Sequence, residues 1–134
     1  MKDQLEAKNN PRVVVVQKLY GNHLNKDSEI VFPKHKYKKF IKDVVNGTIE
    51  RKELIQSFID NEFKNDINEN KTELMLKLMI MAAIYEFMYM HKIPVNVVIS
   101  EYTKVADFFV QDSKKGFLNA ILEKISKVAR VKKE

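Results

Sequence analysis

Histidine is the side chain best suited to holding a metal or moving a proton near neutral pH, and the chain has three: His23, His35 and His91. They fall on separate elements, with no second histidine four residues away on the same helix face, so the spacing builds no metal site. We read them as solvated or hydrogen-bonded side chains. There is no cysteine, which removes disulfides, thiolate zinc sites, iron–sulfur clusters and cysteine nucleophiles and fits a reducing compartment. The three glycines, Gly21, Gly47 and Gly116, are too far apart to let backbone N–H groups cradle a phosphate in a glycine-rich loop. Glu86 and Glu101 each stand beside apolar helical residues and are candidate buried acids. We read them as inter-helix or helix-surface hydrogen bonds. No nucleophile with a base stands out, and we assign no catalytic residue, metal or cofactor.

Binding chemistry is better represented. Basic residues cluster at Lys34, Lys36, Lys38, Lys39 and Lys42, at Lys114 and Lys115, at the C-terminal end, and at Lys8 and Arg12. Such patches attract phosphate backbones, and aromatic side chains among them can stack unpaired bases. The excess of charge is modest, with 24 Lys+Arg against 18 Asp+Glu and a net charge of +6.

The elements that must carry these groups follow from periodicity. At 134 residues and 45% hydrophobic composition, one domain with a continuous core is expected. Residues 1–10 are polar and read as an arm, mobile when unbound. Asn9 or Asn10 before Pro11 marks a helix start, with the helix running over 11–24 despite the β-branched run at 13–16. An apolar stripe over 37–63 predicts one long helix weakened at Gly47, or two nearly collinear ones. Polar residues 64–71 read as the loop between an N-terminal half (11–64) and a C-terminal half (72–134). Thr72 and Glu73 open a helix over 74–90 that is apolar on all sides and therefore surrounded by other helices. A helix from Pro94 to about 110 follows, and Asp112 or Ser113 is placed to cap the last one. The expectation is an all-α bundle with no strand. No segment is apolar enough to span a bilayer and no apolar leader is present, so we expect a soluble, cytoplasmic protein.

Five runs carry a resemblance: RVVVVQKLY (12–20), FIKDVVNG (40–47), AAIYEF (82–87), IPVNVVISE (93–101) and FLNAILEKI (117–125). In this order and spacing they resemble the NusB family of transcription antitermination factors over nearly the whole chain. The resemblance implies an all-α bundle of two small helical subdomains. It also implies pairing with NusE, a small-subunit ribosomal protein, and binding of the single-stranded boxA element of ribosomal RNA leaders. The complex would join other Nus factors on RNA polymerase and suppress termination without catalysis. A helical protein-interaction module that has lost RNA reading is the alternative. NusB-like domains also precede some RNA methyltransferases, but no glycine-rich cofactor loop is visible here.

Carried over residue by residue, the resemblance places Lys8, Arg12, Tyr20, Lys114, Lys115, Phe117 and Asn119 at the RNA face. Partner contacts fall at Glu73, Lys77 and Glu101. Asn9, Asn10 and Pro11 stand where the family has further basic residues, which should weaken RNA binding. Met81 replaces an arginine before the Tyr85-Glu86 pair, and Ser100, Tyr102 and Thr103 depart from the pattern around Glu101.

Overall fold

A computed structural model describes residues 4–68 and 72–130. The described residues form seven α-helices: α1 (Gln4–Asn9), α2 (Pro11–Leu24), α3 (Lys38–Glu50), α4 (Lys52–Glu62), α5 (Leu74–Tyr89), α6 (Val95–Phe109) and α7 (Lys115–Ala129). Among the described residues there is no strand, as the periodicity predicts.

The arm is the first correction, because residues 4–9 are helical. Ala7 rests against the core, and the backbone N–H of Asn10 closes the helix on the carbonyls of Glu6 and Ala7. The start of α2 is as expected. Asn10 Oδ1 accepts from the backbone N–H groups of Arg12 (2.9 Å) and Val13 (3.3 Å), and Pro11 occupies the first turn, where it gives up no hydrogen bond. Val13, Val14, Val15 and Val16 are all buried, so tertiary burial overrides their strand preference.

The 37–63 stripe does break, but at Arg51 rather than Gly47. Gly47 serves close approach instead: a Cβ there would overlap the ring of Tyr85, so α3 and α5 meet where only glycine fits. In the polar connection that follows, Ile67 is an apolar anchor, 3% exposed. The predicted loop residues 69–71 lie outside the described residues.

α5 is buried on all sides through most of its length and contacts α2, α3 and α4 from the N-terminal half and α6 and α7 from the C-terminal half. Side chains help close its C-terminal end: His91 Nε2 lies 2.6 Å from the Met88 carbonyl, and Arg130 donates to the carbonyls of Glu86 (2.9 Å) and Phe87 (2.9 Å) in α5 and of Met90 (3.2 Å) and Ile93 just beyond it, adding donors where a helix end leaves acceptors open. Neither Asp112 nor Ser113 caps α7. Residues Asp112–Lys114 form a 3₁₀ turn, and Lys114 precedes the helix without a side-chain cap.

Candidate nucleic-acid interface

Arg12, expected at the RNA face, is buried in the protein. Its Nε and Nη2 donate to the two carboxylate oxygens of Glu86 at 3.1 and 2.7 Å, a bidentate pairing that fixes both groups. Tyr102 donates its hydroxyl to Glu86 Oε2. The guanidinium also lies 4.7 Å from the Phe40 ring centre. Burial acts to lower the Arg12 pKa, but the hydrogen bond and charge of Glu86 outweigh it and hold the group above its ordinary value. Burial and the Glu86 charge push the Tyr102 phenol well above its usual range, so it remains a donor. Arg12 thus ties α2 to α5 and α6, and Glu86 is an inter-helix hydrogen-bond acceptor.

The remaining basic groups near the α2 entrance do reach the surface. Lys8 of α1, Lys18 of α2 and Lys34 of the connection before α3 line one cleft of about 510 Å³, with Gln4, Gln17 and His35. His35 holds two walls of it together. Its Nδ1 accepts from the Tyr37 backbone N–H at 2.9 Å, and its Nε2 lies 3.1 Å from the Lys8 carbonyl. These bonds require the neutral Nε2–H form. Lys18 is the residue that sequence reading misses, because beside a run of valines it looks like an ordinary polar gap.

Tyr20, on the same helix, is half-exposed, as is Phe117 of α7. Lys114 and Asn119 are exposed. Phe117 and Asn119 are two residues apart, about 200° around a helix, so they flank the buried stripe of Leu118, Ile121 and Leu122 on opposite sides. Lys115 pairs with Asp107 of α6 at 2.5 Å, and that hydrogen bond raises its pKa. The pairing offsets one of the expected RNA-facing charges. Asp107 also lines a cleft of about 420 Å³ between α6 and the α1 residues Leu5, Glu6 and Asn9.

The expected partner residues are spread out. Glu73 is exposed ahead of α5, and Lys77 is half-buried one turn into it. Glu101 is half-buried on α6, with Lys104 at 3.1 Å. Along α5, Lys77 and the Glu86 that faces α6 are nine residues, or about 14 Å, apart. Among the described residues no group of three or more His, Asp or Glu side chains could hold a metal ion, and no helix is long and apolar enough to cross a membrane.

The geometry defines a small all-α domain wound around one central helix, with a buried charge cluster joining its halves and a basic cleft at the α1–α2 corner. The family model described as the NusB family matches residues 4–127, and the chain belongs to that family. The transcription antitermination protein NusB of Rickettsia bellii (strain OSU 85-389) is 34% identical over 85 residues, 63% of this chain and 54% of that protein. The protein of the same name from Bradyrhizobium diazoefficiens is 31% identical over 91 residues, 68% of this chain and 55% of its own length. The chain thus spans about half the length of the curated relatives it matches. A NusB structure from T. maritima shares the fold, with a TM-score of 0.74 at 20% identity over 89% of each chain.

Proposed function

We propose that this chain is a transcription antitermination factor that binds single-stranded boxA-type RNA together with NusE, joining other Nus factors on RNA polymerase in the cytoplasm. The observation that carries the reading is the family match across residues 4–127. Its relatives are named for antitermination, and the cleft of Lys8, Lys18 and Lys34 supplies cations for a phosphate backbone. The chemistry is recruitment: lysines neutralise phosphates, half-exposed Tyr20 and Phe117 offer faces to unstacked bases, and a separate surface holds the protein partner. No covalent step is involved.

A titration of boxA RNA into the chain, with and without NusE and at two salt concentrations, tests this. Binding should strengthen with NusE and fall with salt, and a Lys8→Ala, Lys18→Ala, Lys34→Ala triple variant should lose RNA affinity while keeping NusE. Its salt slope should flatten by about 0.7 for each phosphate of the single strand that the variant no longer neutralises. Equal, salt-insensitive binding of scrambled RNA with or without NusE refutes the reading. The second reading, a protein-interaction module without RNA discrimination, is favoured by two observations: the Arg12 guanidinium is held inside the fold and Lys115 is offset by Asp107. It predicts NusE binding with no preference for boxA.

A further inference from the structure

Most of the lysines in the run before and at the start of α3 lie outside the cleft. Between Glu29 and Asp43 the chain carries Lys34, Lys36, Lys38, Lys39 and Lys42 and no acidic residue, although acids number 18 against 24 bases in the whole sequence. All five lysines are exposed, and none forms an ion pair with a described residue. Asp43, the next acid along, accepts the Tyr85 hydroxyl at 2.9 Å instead. At about 100° per residue, Lys38, Lys39 and Lys42 share one arc about 100° wide on α3, away from the buried Ile41, Val44 and Thr48.

This placement works against the helix that carries it. The first turn of α3 has no acidic residue, and Tyr37 gives it no side-chain cap. Lys38 and Lys39 set two cations at the end where the backbone dipole is already positive. Lys38 and Lys42 are four residues apart, a like-charged pair that repels across one turn. Acids at these positions would stabilise the free protein, so the lysines suit a negative ligand and not the helix.

The class of ligand follows from the surroundings. Lys34 and His35 also line the basic cleft, so the positive surface runs on from the cleft onto α3. Tyr37 stands in the middle of the run, 46% exposed, with the Lys36 ammonium 5.4 Å from its ring centre. An exposed ring between cations is a stacking platform for an unpaired base, which neither a free phosphate nor a lipid headgroup would use.

We propose that the face of Lys36, Tyr37, Lys38, Lys39 and Lys42 holds single-stranded RNA that continues beyond the element bound at the cleft. The lysines grip its phosphates and Tyr37 stacks one base, without reading sequence. The proposal rests on the RNA reading above and adds a second, sequence-independent surface to it.

The probes are boxA RNA alone and boxA RNA carrying about ten uridines on its 5′ or its 3′ end. Each is titrated into the full chain with NusE at two salt concentrations. One of the extended RNAs is expected to bind about tenfold more tightly than boxA alone, with a salt slope steeper by about 0.7 for each added phosphate contact. Replacing Lys36, Lys38, Lys39 and Lys42 together with alanine should erase that gain and leave boxA alone bound as before. Tyr37→Ala should cut the gain by about fivefold with little change in slope. Lys38→Glu should also cut the gain while raising the melting temperature by about 2–4 °C, the opposite of a loss through misfolding. The proposal is overturned if neither extension adds affinity or if the quadruple variant keeps the gain. Vesicles of phosphatidylglycerol that bind through these lysines while the extensions add nothing would assign the face to a membrane and overturn it too. If boxA itself fails to bind, the RNA reading falls and this inference with it; if boxA binds and the extensions add nothing, this inference falls alone.

Discussion

Replacing Arg12 with alanine should destabilise the fold rather than merely strip a surface charge. Glu86 is completely buried, and its carboxylate is matched by two Arg12 N–H groups and the Tyr102 hydroxyl. Arg12→Ala leaves one neutral donor facing a buried negative charge, and breaking a buried pair from one side costs about 3–5 kcal/mol. Loss of the guanidinium over Phe40 adds to that. With an m-value of about 2 kcal/mol/M, the urea midpoint should drop by about 1.5–2.5 M. Arg12→Lys should fall between, because an ammonium cannot reproduce the fork that spans both oxygens. The triple replacement Arg12→Met, Glu86→Leu, Tyr102→Phe removes all the polar groups together and should recover much of the loss, giving a large favourable coupling. Urea unfolding followed by circular dichroism measures all three. A midpoint shift for Arg12→Ala worth less than about 1 kcal/mol, the range of an exposed pair, would refute the reasoning. So would strictly additive losses.

Other outcomes follow from single contacts. Gly47→Ala should cost about 1–3 kcal/mol by overpacking against Tyr85, and thermal melts would show it; a neutral result means α3 and α5 can separate freely. Asp107→Asn releases Lys115 and should tighten RNA binding while steepening its salt dependence, whereas unchanged slopes would place Lys115 away from RNA. Burial and the Asp43 hydrogen bond raise the Tyr85 pKa from 10.0 to about 12. The native state therefore holds this proton more tightly than the unfolded chain, and its contribution is complete below pH 10 and lost as pH rises toward about 12. Tyr85→Phe should flatten that alkaline decline in urea midpoints. Arg130→Met should speed hydrogen exchange at the amides near the end of α5, since four carbonyls lose one shared donor.

Much of the architecture is legible as pattern. Asn10-Pro11 announces α2 through local capping chemistry, and the run over 74–90, apolar except for Lys77 and Glu86, announces a central helix, because both signals lie in neighbouring residues. Arg12 is harder to place because its partner is far along the chain. An arginine beside a polar arm looks exposed until the fold brings Glu86 to it. The signal is on the acid: a lone glutamate in a helix with no polar face requires a buried cation. Glycine propensity puts the helix break at Gly47, where a close approach to Tyr85 decides the residue instead. The basic cleft is only half visible, since Lys8, Lys18 and Lys34 come from three segments that no single periodicity connects.

The separation between Arg12 and Glu86 also has a consequence for how the chain is made. Their contact spans 74 residues of sequence, and at about 5–20 residues per second the ribosome needs about 4–15 s to supply the second after the first. During that interval α2, α3 and α4 exist without the helix that covers their apolar faces, and a cation destined for the interior waits in water. Completion of α5 supplies the partner that Arg12 lacks, α6 and α7 then cover its remaining faces, and a pause in translation before residue 86 would lengthen the exposure of the earlier helices to chaperones and proteases.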